Sequence, residues 1–280
     1  MRYKTVLVHA DLSRHAPERI ALAADLCAEH GAHLIGAAMT GISREVLPNG
    51  YNVAPGSLLA GYFDPLEHAA RQALDAFEAI AARRGVSYEP RLVCDDVADG
   101  LVLLARFADL LVVSQDDPAE SLGYAAPAVR MPDHLVFHAA RPVLVVPAAH
   151  AAQGCARRVL LCWNGSREAA LAMAGALPLL QRATHTTLAW FAPAFPVDSA
   201  SAQELADALA FLKRHGVHAE PVLRDPGHDT GHAILRLAAE LDCDLVAMGC
   251  FGHSQFSELL LGGASRTVLR EAALPVLMMH

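Results

Sequence analysis

Short, wholly apolar runs alternate along this 280-residue chain with longer segments in which apolar positions recur every three to four residues. VLVH (6–9), HLIGAA (33–38), LLVVS (110–114) and PVLVVP (142–147) lack the one-in-two alternation of a sheet with a wet face. They read as strands buried on both sides. LEHAARQALDAFEAIAARRG (66–85) and AQELADALAFLKRHG (202–216) have the period of amphipathic helices and end at glycine, a common helix stop. Strands joined by helical crossovers predict parallel sheets covered by helices on both faces. The fold class is therefore α/β and doubly wound.

The pattern occurs twice. KTVLVHADLS (4–13) matches RRVLLCWNGS (157–166), ADLLVVSQ (108–115) matches CDLVAMGC (243–250), and ARPVLVVP (140–147) matches ALPVLMMH (273–280). Landmarks in the same order at similar separations predict two copies of one module, residues 1–149 and 157–280, each with five strands. Open sheets must protect their edges. The short apolar last strands are expected to face one another, making the chain an intramolecular pseudo-dimer, with a homodimer as a further arrangement.

Composition narrows the function. A net charge of -8 and a pI near 6.0 leave no basic surplus for nucleic acid or an anionic membrane. Six cysteines (27, 94, 155, 162, 243, 250) show no CxxC spacing and read as reduced thiols. With no secretory signal and no run of about 18 uncharged apolar residues, the cytoplasm is the expected location.

The most informative stretch is MGCFGHSQFSELLLGGASRTVL (248–269), with Gly249, Gly252, Gly262 and Gly263 between a buried strand and a helix start. In an open parallel sheet, ligands bind beyond the carboxyl ends of the strands. Glycines there bring backbone N–H groups close to an anion, and a following helix N-terminus adds further donors and partial positive charge. The spacing is neither a Walker A loop nor a dinucleotide GxGxxG.

Gly249-x2-Gly252-x9-Gly262 resembles the glycine motif of nucleotide-binding universal stress proteins. PVLMM resembles that family's closing strand, and VLLCWNGSREAA its first strand and loop. The resemblance covers both halves and implies a flavodoxin-like sheet of order 3-2-1-4-5. It also implies ATP or a related nucleotide as ligand, with or without Mg²⁺, and a role in stress survival and signalling. Carried onto this chain, it places the ligand against Cys162, Trp163, Asn164, Met248, Gly249, Gly252, His253, Gly262, Gly263, Ala264 and Ser265.

Three positions depart from the family pattern. Gly263 stands where a Ser or Thr is usual, with Ser265 two residues on. Asn164 replaces the usual acid, which the first half keeps as Asp11. The first half has no glycine loop, and Asp116, Asp117 and Glu120 stand in the corresponding segment, where carboxylates would repel phosphate. A single nucleotide site in the second half follows, with the first half as scaffold or regulator.

Trp163, Trp190 and Phe191 are candidates for an adenine slot. His228 and His232, and His134 and His138, are spaced four apart, but no third ligand accompanies either pair, so no metal site is expected; Asp229 or Thr230 reads as a helix cap. Neither Ser13 nor Ser166 has a neighbouring base, and no acid–base pair stands out, so activity is expected to be at most slow ATP hydrolysis or self-phosphorylation. Residues 40–65 form an unusually long Gly/Pro-studded connection that reads as a lid or partner surface. The alternative function is a nucleotide-independent scaffold or small-ligand binder with a vestigial glycine loop.

Overall fold

The structure, a computed structural model, describes residues 2–45, 58–117, 131–148, 154–192, 199–250 and 263–280; for 58–60 and 199–200 only the backbone is described. The chain divides into two compact units, residues 2–141 and a second comprising 142–148 with Cys155–His280.

In the first unit the strands are β1 (Thr5–His9), β2 (His33–Met39), β3 (Tyr88–Val93) and β4 (Leu110–Ser114). The helices are α1 (Ala16–His30), α2 (Leu58–Arg84), α3 (Val97–Ala105) and α4 (Met131–His138). The strands lie parallel in the order β3-β2-β1-β4. β1 lies between β2 and β4, and β4 is buried along its whole length, as its unbroken apolar run requires. Right-handed crossovers put α1 and α2 on one face and α3 with α4 on the other.

The second unit repeats this plan. Its strands are β5 (Val143–Val146), β6 (Arg158–Trp163), β7 (His185–Phe191), β8 (Ala219–Arg224), β9 (Leu245–Gly249) and β10 (Val276–Met279). Its helices are α5 (Arg167–Leu180), α6 (Ser199–Arg214), α7 (Thr230–Glu240) and α8 (Ala264–Glu271). The order β8-β7-β6-β9-β10 is the expected 3-2-1-4-5, all parallel.

The first repeat also has five strands, β1 to β5 in chain order. β5, the last strand of the first repeat, groups with the second unit and pairs antiparallel with β10, Val145 opposite Val276. The two closing strands thus face one another, as their short apolar sequences suggested. The pairing gives the open edge of β10 a partner for its backbone N–H and C=O groups.

The duplication extends to single side chains. Asp109 accepts from the backbone N–H of Lys4 (2.7 Å) and Thr5 (3.0 Å). Asp244 does the same for Arg157 (2.9 Å) and Arg158 (2.8 Å). In each unit a carboxylate preceding the fourth strand fixes the start of the first. The half-exposed outer strands, β3 and β8, both carry a Glu-Pro pair, Glu89-Pro90 and Glu220-Pro221. A charge and a missing N–H blunt an edge against further pairing.

Candidate nucleotide site

In the second unit strand order reverses between β6 and β9, whose carboxyl ends therefore define the ligand crevice of such a sheet. The loop after β6 is tightly organised. Asn164 Oδ1 accepts from the Ser166 N–H (3.1 Å) and the Ser166 hydroxyl (2.7 Å). Ser166 Oγ in turn accepts from Ala169 N (3.1 Å), capping α5. Asn164 thus spends its acceptor oxygen on its own turn, and its amide nitrogen remains to face a ligand as a donor. Gly165 completes the turn at φ +75°, a left-handed conformation that favours glycine. A side chain there would also strike Glu204, since a Cβ would lie 2.5 Å from Glu204 Oε2.

Gly249 ends β9 beside the first turn of α5. A Cβ on it would lie 2.4 Å from Ala169 N and from the Glu168 carbonyl carbon. Its missing side chain admits the backbone of α5 rather than that of a ligand. α8 opens with Gly263 as N-cap and receives no side-chain cap. The donors of its first turn are left to the backbone, solvent or an anion.

The other sequence candidates fall into two groups. Cys162, Met248 and Ser265 are buried beneath the rim, and Ala264 is half-buried at the start of α8. Burial, with a smaller contribution from Cys243, pushes the Cys162 thiol up to about 12, so it stays protonated. Cys250 is buried and its thiol donates to the Met279 carbonyl at 3.2 Å. Trp163 and Trp190 are register partners on β6 and β7 and stand side by side on one face. Trp190 is buried, and the Trp163 indole nitrogen is buried without a hydrogen-bond partner. Gly252, His253 and Gly262, like Glu120 and residues 46–57, lie outside the described residues, and the end of the 40–65 connection, from Leu58, is the start of α2 rather than a loop.

The corresponding place in the first unit holds protein. Asp11 Oδ1 accepts from the Ser13 N–H (3.0 Å) and hydroxyl (2.6 Å), the same turn that Asn164 makes. Here, however, Arg19 reaches across from α1 with only 1% exposure. Its guanidinium donates to the His9 carbonyl (2.9 Å), Ser114 Oγ (2.6 Å) and Asp11 Oδ1 (2.9 Å), tying together the carboxyl ends of β1 and β4. In the aligned repeats Ala172 occupies the position of Arg19. Burial alone would raise the Asp11 carboxyl. The charges of Arg19 and His9 and the hydrogen bonds from Ser13 and Arg19 outweigh it and bring the carboxyl down to about 2. Burial, reinforced by Arg19, lowers His9 to about 4 against the opposing pull of Asp11. His9 Nδ1 lies 3.2 Å from Asp11 Oδ2, but the imidazole is neutral at pH 7, so this contact is not an ion pair there.

Asp117, expected to repel phosphate, is 9% exposed and engaged by Arg14 and His15. The connection after β2 is gripped by fully buried Asp95, which accepts from the backbone N–H and the guanidinium of Arg44. Asp229 caps α7 by accepting from His232 N (3.0 Å), while the His232 ring contacts Asp229 and Glu271. Among the described residues no group of three or more His, Cys, Asp or Glu is placed to hold a metal ion. No described helix is long and apolar enough to cross a membrane. Sequence reasoning missed the burial of Arg19, because a charged residue in a helical segment reads as solvent-facing, and the approach of Glu204 to Gly165, which only the fold creates.

No curated relative matches the chain in sequence. Among solved structures, a universal stress protein from Archaeoglobus fulgidus DSM 4304 is 14% identical and superposes with a TM-score of 0.73 over 98% of this chain and 97% of its own. That likeness shows the fold of the whole chain. A universal stress protein in complex with cAMP is 26% identical (TM-score 0.35, 52% of this chain and 98% of its own). Another, from Archaeoglobus fulgidus in complex with dAMP, is 17% identical (TM-score 0.35, 52% and 98%). Residues 156–280 match the model of the universal stress protein family. The match takes in the whole of the second α/β repeat, β6 to β10, and the likeness to that family is shown for this repeat.

Proposed function

We propose that the second unit binds an adenine nucleotide, ATP above all, at the carboxyl ends of β6 and β9, and that the chain serves as a stress-response regulator. The first unit has given up its equivalent site to its own side chains. The carrying observation is the contrast at one place in two copies of the fold. Arg19 fills the first crevice, whereas Ala172 occupies its position in the second, beside a helix whose first turn has no side-chain cap. Phosphates would lie toward the amino end of α8 and the bare segment around Gly252 and Gly262, with Trp163 and Trp190 near the base. Mg²⁺ has no carboxylate in the β6–α5 loop, where Asn164 stands, so binding without a divalent ion is expected.

The packing of Gly249 against α5 favours a second reading, in which glycines of this motif persist for helix–strand contact and the unit is a scaffold. Calorimetric titration of ATP, ADP and AMP into the wild type and a Gly252→Asp variant separates the two. The nucleotide reading expects saturable binding to the wild type that is weakened at least tenfold by the new carboxylate. Absence of wild-type binding would favour the scaffold.

A further inference from the structure

We propose that Glu204 of α6 reads the sugar hydroxyls of the bound nucleotide, taking over the acceptor role that Asn164 cannot fill. The assignment rests on the nucleotide reading above. The carboxylate of Glu204 reaches the β6–α5 loop, where its Oε2 would lie 2.5 Å from a Cβ built on Gly165. Among the described residues no hydrogen bond or ion pair engages Glu204. Asn164, one residue away from Gly165, has already committed its oxygen to Ser166. The rim of the crevice therefore presents one donor, the Asn164 amide, beside one free acceptor.

A carboxylate accepts hydrogen bonds and repels phosphate. Glu204 thus orients a nucleotide with its hydroxyl-bearing sugar toward α6 and its phosphates toward the amino end of α8, where N-cap Gly263 places no side chain. An adjacent pair of acceptor and donor suits a vicinal diol, in which each hydroxyl both gives and receives. The occupant so selected is a ribonucleotide rather than a 2′-deoxyribonucleotide.

The test is titration of ATP and 2′-deoxyATP into the wild type and Glu204→Ala, in EDTA. Glu204 is exposed on a helix, so the alanine variant keeps its fold. The expected result is wild-type preference for ATP over 2′-deoxyATP on the order of tenfold, and a variant that binds both at the weaker affinity. A preference that persists in Glu204→Ala, or a wild type that never had one, overturns the assignment while leaving the nucleotide site standing. An effect of the variant seen only after Mg²⁺ is added also overturns it, since the carboxylate would then act through the metal. No binding of either nucleotide to the wild type removes the nucleotide reading itself and this assignment with it.

Discussion

Replacing Arg19 by leucine is expected to destabilise the first unit by about 3 kcal/mol, the low end for breaking a buried charged pair by removing one partner. The substitution takes the guanidinium away from Asp11, Ser114 Oγ and the His9 carbonyl at the carboxyl ends of β1 and β4, and Asp11 keeps only the Ser13 donors among the described residues. Asp11 is 30% exposed in its side chain and recovers some water, which keeps the cost from the top of the range. The same change removes one of the two influences that lower His9, so its pKa rises from about 4 while staying below 6.5 through burial. A histidine whose folded pKa is depressed contributes stability that is complete above its unfolded value. That stability is lost as the pH falls through the window from 6.5 to about 4. In the leucine variant the window narrows from its acid side. Urea unfolding at pH 7 and at pH 5, with an NMR titration of His9, reads both effects. A loss below about 1 kcal/mol would mean that water already solvates the network.

A comparable loss is expected for Gly249→Ala, from the opposite cause. The new methyl would lie 2.4 Å from backbone atoms of Glu168 and Ala169, well inside van der Waals contact, and neither is a flexible side-chain end. The first turn of α5 must shift, at a cost of about 3 kcal/mol, in the upper range for overpacking. Because that turn also carries Ser166 and the Asn164 loop, nucleotide affinity falls with stability. Thermal unfolding and ATP titration on the same variant separate the two roles of this glycine. Weakened binding at unchanged stability would assign Gly249 to the ligand rather than to the helix.

How much of this was legible from the residues differs between fold and site. The runs VLVH and LLVVS specify strands covered on both faces because such burial demands unbroken apolar sequence, and they became β1 and β4. The duplicated D-x-S and N-x-S loops showed the repeat, and the structure gives them the same hydrogen-bonded turn. Asp229 and Thr230 were both legible as caps, and Asp229 takes the role because its side chain reaches the N–H three residues on. β5 closes the first repeat in sequence, and its antiparallel pairing with β10 is the one that the short apolar runs PVLVVP and PVLMM suggested. Arg19 was not legible, since nothing local distinguishes an arginine destined for burial from one on a wet helix face. Its three acceptors come from residues 9, 11 and 114, which only the tertiary fold assembles. Gly249 was read as space for an anion, and sequence could not show that the space had been taken by α5.

Amide hydrogen exchange with and without saturating ATP tests most directly whether a single nucleotide site lies in the second repeat alone. Slowed exchange is predicted at 162–166, 248–250 and 263–266, with no change at 9–15 or 114–117. Protection of the first repeat's loops, or of neither repeat, would contradict it.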